Sequence, residues 1–297
     1  IKNQKLPLSH SGLMQLSGLS SEEMVDFRVA WESVPLVRKC EVLTKLAELG
    51  EDNLELDFTV IFRASLGDVN DEVREKAALG LWDCNDRVII RPLIKLLEND
   101  LSPRVRAASA VALGKFAEMA QEGKLIGRDA DRIRELLLKV IGRQNETLEV
   151  RRRAIEAVAS FNSPEISEII RDSYKSDHIE LKQSAIFAMG RSFDSQWLPV
   201  VKRETQEGEA ALRYEAANAC GRLGDESTVP YLIKLIGDED LQVQLSAVQA
   251  LGTIGGALAK QALITCLRTD DALEDAAQAA LSSIDLDEDP LGFRYAI

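Results

Sequence analysis

Apolar residues recur along this chain with a helical period, and one short phrase of apolar and polar positions returns seven times. Val73-Arg74-Glu75-Lys76-Ala77 opens the series, followed by Val105-Arg106-Ala107-Ala108-Ser109 and Val150-Arg151-Arg152-Arg153-Ala154. Leu181-Lys182-Gln183-Ser184-Ala185, Leu212-Arg213-Tyr214-Glu215-Ala216, Val243-Gln244-Leu245-Ser246-Ala247 and Leu273-Glu274-Asp275-Ala276-Ala277 complete it. The anchors at 73, 105, 150, 181, 212, 243 and 273 are 32, 45, 31, 31, 31 and 30 residues apart. With the anchor as position zero, small or apolar residues fill +4, +7 and +8, as in Ala185, Ala188 and Met189 or Ala247, Ala250 and Leu251. That spacing paints one stripe on a helix of 3.6 residues per turn. Gly114, Gly190, Gly221 and Gly252 follow at +9, where a left-handed stop is expected to end each helix.

A second amphipathic segment precedes each phrase, clearest in Ile89–Leu97 and Val229–Ile236, each with a proline in its first turn. Acidic or small polar residues join the two segments: Asn99-Asp100, Asp177, Glu207-Gly208-Glu209 and Asp238-Glu239-Asp240. Each unit therefore reads as helix, short acidic turn, helix. A lone pair of this kind cannot bury its apolar face, so the units must stack.

The phrase is seen nearly whole from Asp100 to Gly114, and it resembles HEAT repeats of the short bacterial type named after phycobilisome lyases. The resemblance covers residues from roughly 54 to 284 and implies an all-α fold: an α-solenoid, a right-handed superhelix of about eight helix pairs. It also implies a scaffold that binds proteins, with only occasional enzymes. Ser20 with Glu23 matches a capping box opening a helix through Val25, Phe27 and Trp31, and Val34–Leu49 follows as its partner. Residues 20–50 are thus expected to form an atypical capping repeat at the head of a solenoid spanning 20–284. Residues 1–19 are read as an irregular arm and 285–297 as an acidic tail whose charges and Pro290 stop any helix. The long step is expected to hold an enlarged loop at about 117–132, around Gly123 and Gly127.

Composition narrows the function. Of 297 residues, 49 are acidic and 36 basic, a formal charge of −13. That balance opposes nucleic-acid binding, which needs cationic surface to displace counterions. No apolar run approaches the length of a membrane span, so no membrane association is expected. Cys40, Cys84, Cys220 and Cys266 never form a C-x-x-C pair. They read as buried thiols suited to a reducing cytoplasm, with no metal site. His178 reads as a solvated turn residue. No phosphate-binding loop, nucleophile elbow or H-E-x-x-H motif is present, so no catalytic residue and no cofactor are expected.

The basic residue at +1 (Arg38, Arg74, Arg106, Arg151, Lys182, Arg213) is expected to pair with an acidic turn residue next door, as the resemblance implies. The same resemblance places the second helices on the concave side. The candidate protein-binding stripe is then +2 and +6: Arg152 and Glu156, Gln183 and Phe187, Tyr214 and Asn218, Leu245 and Gln249. Phenylalanine, tyrosine and arginine are typical of interface hot spots. Residues 124–153 hold nine basic against five acidic residues, a basic island. Arg128, Arg132, Arg134 and Arg153 belong to it and could receive an acidic segment of a partner. The expected partner is a protein or peptide, bound by a cytoplasmic monomer. A bilin lyase, or a chaperone-like tetrapyrrole-handling factor, is the alternative that the repeat subtype implies.

Overall fold

The repeating phrase forms a helix at every occurrence in the computed structural model, which describes residues 7–269 and 272–288. Among the described residues there is no strand, and the fold is an all-α solenoid. The chain divides into two compact units at the Phe161–Asn162 bond.

The N-terminal unit begins with a short helix α1 (His10–Met14), then four helix pairs. These are α2 (Ser21–Glu32) with α3 (Leu36–Asp52), α4 (Thr59–Ser65) with α5 (Asp71–Leu79), α6 (Ile90–Asn99) with α7 (Pro103–Gln121), and α8 (Gly127–Ile141) with α9 (Leu148–Val158). The C-terminal unit holds four more: α10 (Pro164–Tyr174) with α11 (Ile179–Arg191), α12 (Leu198–Glu204) with α13 (Ala210–Leu223), α14 (Val229–Leu235) with α15 (Leu241–Ile254), and α16 (Gly256–Thr269) with α17 (Glu274–Glu288). Second helices stack in order: α3, α5, α7 and α9 in one unit, and α11, α13, α15 and α17 in the other.

Local signals account for the helix starts. Ser20 and Glu23 close the expected capping box, with Ser20 Oγ accepting from the Glu23 N–H at 3.3 Å and Glu23 accepting from the Ser20 N–H at 2.8 Å. Asp86, Asp194 and Asp225 each cap a short 3-10 turn that leads into α6, α12 and α14. Asp240 accepts from the Gln242 and Val243 N–H groups and starts α15.

Four expectations need correction. The +9 glycines do not end helices: Gly114, Gly190, Gly221 and Gly252 all lie inside them. Three of them sit where the next second helix crosses. A Cβ on Gly190 would lie 2.7 Å from Ala219 Cα, one on Gly221 3.1 Å from Ala250 Cα, and one on Gly252 2.9 Å from Ala280 Cα. Position +9 of one repeat thus faces +7 of the next, and its bare backbone lets the two helices touch.

Nor is there an enlarged loop at 117–132. Instead α7 runs on to Gln121 and α8 starts at Gly127, so the long step lengthens two helices. Gly123 (φ 71°) turns the chain between them, and Leu125 is buried under the turn. The N-terminal arm is partly helical and docked: Leu13 of α1 is buried, and Ser17 Oγ accepts from the Asp57 N–H at 2.8 Å. At the other end α17 carries Asp285–Glu288 into the helix. Pro290, Phe293, Tyr295 and Ile297 lie outside the described residues.

Candidate functional site

The +1 residues are the first candidates, and the structure gives most of them to the scaffold. Arg74 donates to both Asp100 carboxylate oxygens at 2.8 and 2.9 Å, and to the Asp68 carbonyl at 2.8 Å. Arg106 does the same with Glu146 and the Asp100 carbonyl, and Arg213 with Asp238 and the Gly208 carbonyl. Lys182 pairs with the buried Glu204 at 3.2 Å. Each of these rungs ties one repeat to the next. Asp100, Glu146 and Asp238 also accept a backbone N–H from the turn ahead of a second helix.

Two rungs depart from expectation. Arg38 pairs with Glu41 in its own helix, and its neighbour Lys39 reaches Asp68 at 2.6 Å. Arg151 donates to the Arg143 carbonyl, and its Nε is buried without a partner.

The rung charges shift as their geometry requires. The Arg213 hydrogen bond holds Asp238 below the usual aspartate range, and Asp238 in turn raises Arg213. For Asp100, burial pushes the carboxyl up, but the Arg74 hydrogen bond and the Ser102 N–H outweigh it and the net shift is down.

In the C-terminal unit the +2/+6 stripe opens into a groove of about 410 Å³ across α11, α13 and α15. Phe187, Tyr214, Asn218 and Gln249 line it, joined by Glu215, Arg222 and Thr253. Tyr214 is 38% exposed. Arg222 and Arg191 stand over the Phe187 ring at 5.1 and 5.8 Å from its centroid. Asn218 is held by a 2.9 Å hydrogen bond from the buried Ser246 hydroxyl. Gln183 and Leu245 are half-buried and lie outside the groove lining. The sequence reading missed both arginines. Their shared signal is register: Arg191 and Arg222 each fall at +10, one turn beyond the stripe.

The N-terminal unit's stripe residues behave differently. Arg152 and Arg153 share Glu149 at 3.1 and 2.8 Å, and Arg153 also bonds Glu156 at 2.9 Å. Glu156 is 9% exposed. Arg153 is therefore committed to this ionic mesh, while Arg134 reaches toward Asp131 at 3.4 Å. Arg128 and Arg132 are exposed and share a cleft beside α6. The basic island is thus not one surface.

Cys220 and Cys266 are buried, but Cys40 and Cys84 are only half-buried. Burial drives the Cys220 thiol up to about 12. His178 is exposed and precedes α11, as expected. Among the described residues no three His, Cys, Asp or Glu side chains converge to hold a metal, and no helix is long and apolar enough to cross a membrane.

Stacked helix pairs joined by charged rungs define a helical-repeat protein. The sequence profile of HEAT repeats matches residues 61–125 and 197–284, more than half of the chain. The chain belongs to the HEAT-repeat family. No curated protein matches it in sequence. Among solved structures, the complex of CpcE and CpcF of phycocyanin lyase from Nostoc sp. PCC7120 is similar at a TM-score of 0.58 and 14% identity, covering 95% of this chain and 97% of that one. Human deoxyhypusine hydroxylase in complex with glycerol is similar at a TM-score of 0.39 and 18% identity, covering 84% and 91%. At 14% identity the likeness to the phycocyanin lyase complex is one of fold.

Proposed function

We propose that this chain is a non-catalytic adaptor, working as a cytoplasmic monomer, that binds a protein or peptide on the second-helix face of its C-terminal unit. The observation that carries this reading is the groove formed by Phe187, Tyr214, Asn218 and Gln249. An exposed tyrosine beside a phenylalanine flanked by two guanidinium groups offers apolar area, stacking faces and charged donors in one place. Such a mixture suits a short segment carrying an apolar side chain next to a carboxylate. Leu245 and Gln183 extend the same face, whereas Arg152 and Glu156 satisfy each other's neighbours and contribute little.

The test is capture of partners from the source cells by the full chain, with a photo-crosslinking residue placed at Tyr214. Phe187→Ser, Tyr214→Ser and Leu245→Ser combined are expected to abolish capture while leaving the helical circular-dichroism signal in place. Equal capture by the triple variant would remove the groove as the binding surface. The lyase reading rests on the fold likeness to the phycocyanin lyase complex. It predicts an absorbance shift on adding a linear tetrapyrrole, and its groove would have to act without a cysteine or histidine in the lining.

A further inference from the structure

Four arginines distant in sequence meet where α6 and α8 pack side by side. Arg87 sits in the 3-10 turn before α6 and Arg91 in its first turn; Arg128 and Arg132 lie in the first two turns of α8. All four line a cleft of about 370 Å³ together with Val88, Ile90 and Asp129. An adjoining cleft of about 570 Å³ shares Arg91, Arg128, Asp129 and Arg132, and is lined by Asp131 and Glu135 as well. Asp129 is committed to Arg87 at 2.6 Å. Arg91, Arg128 and Arg132 are exposed, and no ion pair to them occurs among the described residues.

We infer that this cleft is a second docking surface, distinct from the groove of the C-terminal unit, and that its occupant is a carboxylate-rich segment of a protein partner. Clustered guanidinium groups repel one another, and of the three carboxylates that line the two clefts Asp129 is taken by Arg87 and Asp131 by Arg134. An incoming acidic segment relieves that repulsion and accepts planar, paired hydrogen bonds. The N-terminus of α8 adds to the attraction. Its flanking residue Ile126 makes no side-chain cap, and Gly127 leaves open space where a Cβ would project.

Three features select the occupant. The arginines spread over two helices and two adjoining clefts, which matches a run of carboxylates better than one small anion. Val88 and Ile90 add an apolar wall that a free phosphate would not use. The formal charge of −13 opposes a nucleic acid, because its long backbone would meet the rest of the surface.

The probe is a fluorescein-labelled hexaglutamate peptide, read by fluorescence anisotropy with the full chain at low ionic strength. Combined Arg91→Glu, Arg128→Glu and Arg132→Glu substitutions are expected to weaken binding by about tenfold or more, as is about 0.5 M salt. The Arg→Gln triple should weaken it less. Phe187→Ser with Tyr214→Ser should leave it unchanged, which separates this surface from the groove. Absence of peptide binding, or equal binding by the Arg→Glu triple with an unchanged thermal melt, would overturn the proposal. Displacement of the peptide by inorganic phosphate at equal concentration would also overturn it, since the cleft would then hold a small anion.

Discussion

The two units share a frame and differ in what they hang on it. Both stack their second helices through small residues at +4 and +7, and both join repeats with a basic residue reaching an acid in the next repeat. On the outward +2/+6 face they diverge. The N-terminal unit closes its last repeat with Arg152, Arg153, Glu149 and Glu156 bonded among themselves, while the exposed Arg91 and Arg128 lie at the starts of its first helices α6 and α8. The C-terminal unit places Phe187 and Tyr214 on the second-helix face, with arginines over the phenylalanine. Frame positions are held by packing and repeat faithfully. Binding information therefore belongs to positions the frame leaves unconstrained, and there the repeats stop resembling one another.

If the rung is common to both units, breaking one should cost the same in either. Asp100→Ala and Asp238→Ala each strip a mostly buried guanidinium of its bidentate partner, and each is expected to cost about 3 kcal/mol in urea unfolding at neutral pH. A large difference between the two would show that the rung is not equivalent. The cost should also depend on pH. Asp238 is held below its unfolded value, so between the two values the unfolded chain binds more protons. The rung's stabilisation is complete above about pH 4 and is lost as pH falls through the lower folded value. The gap between wild type and Asp238→Ala should accordingly narrow in acid.

The glycine seam gives a sharper contrast, with somewhat smaller effects. Gly190→Ala forces a Cβ to 2.7 Å from a backbone atom of the next helix, and should destabilise by about 2 kcal/mol despite the better helix propensity of alanine. Gly221→Ala meets its neighbour at 3.1 Å and should cost less than half of that. Gly127→Ala, in the N-terminal unit, meets nothing within 4 Å and should be neutral or slightly stabilising. The order of these three unfolding midpoints tests the close-approach explanation directly.

Thiol labelling compares the units without mutation. Cys40 and Cys84 of the N-terminal unit are half-buried, and Cys220 and Cys266 of the C-terminal unit are buried. Iodoacetamide at mild pH should modify the first pair in the native state. The second pair should need unfolding, Cys220 doubly so because burial raises its pKa to about 12.

The repeat was legible because its alanines recur at fixed register, and Ala185, Ala216 and Ala247 are all fully buried. The +9 glycines were misread for a physical reason. A glycine after an apolar run suits a left-handed stop and a close helix crossing equally, and only the neighbour distinguishes them. The pattern held the answer in offset form, because each +9 glycine precedes a +7 alanine in the following repeat. The long step misled similarly: glycine and charge suggest a loop, yet Lys124 N–H bonds the Met119 carbonyl at 2.7 Å and one tight turn suffices. Phe187 and Tyr214 were visible as anomalies on a solvent-facing stripe. Arg87 and Arg91 were not, because nothing local in the sequence reports that α6 and α8 lie side by side.

The mildest perturbation bears on whether the N-terminal unit's stripe is structural surface. Glu149 is half exposed and serves both Arg152 and Arg153, while burial raises its carboxyl and the Arg153 hydrogen bond brings it below the usual glutamate range. Glu149→Gln removes the shared charge but keeps the side-chain volume. Because solvent screens such pairs, it is expected to cost under about 1 kcal/mol, and less again at high salt. Partner capture should be untouched, since the mesh satisfies itself. A variant that kept its stability but lost capture would move the binding surface onto the N-terminal unit and reverse the contrast between the two.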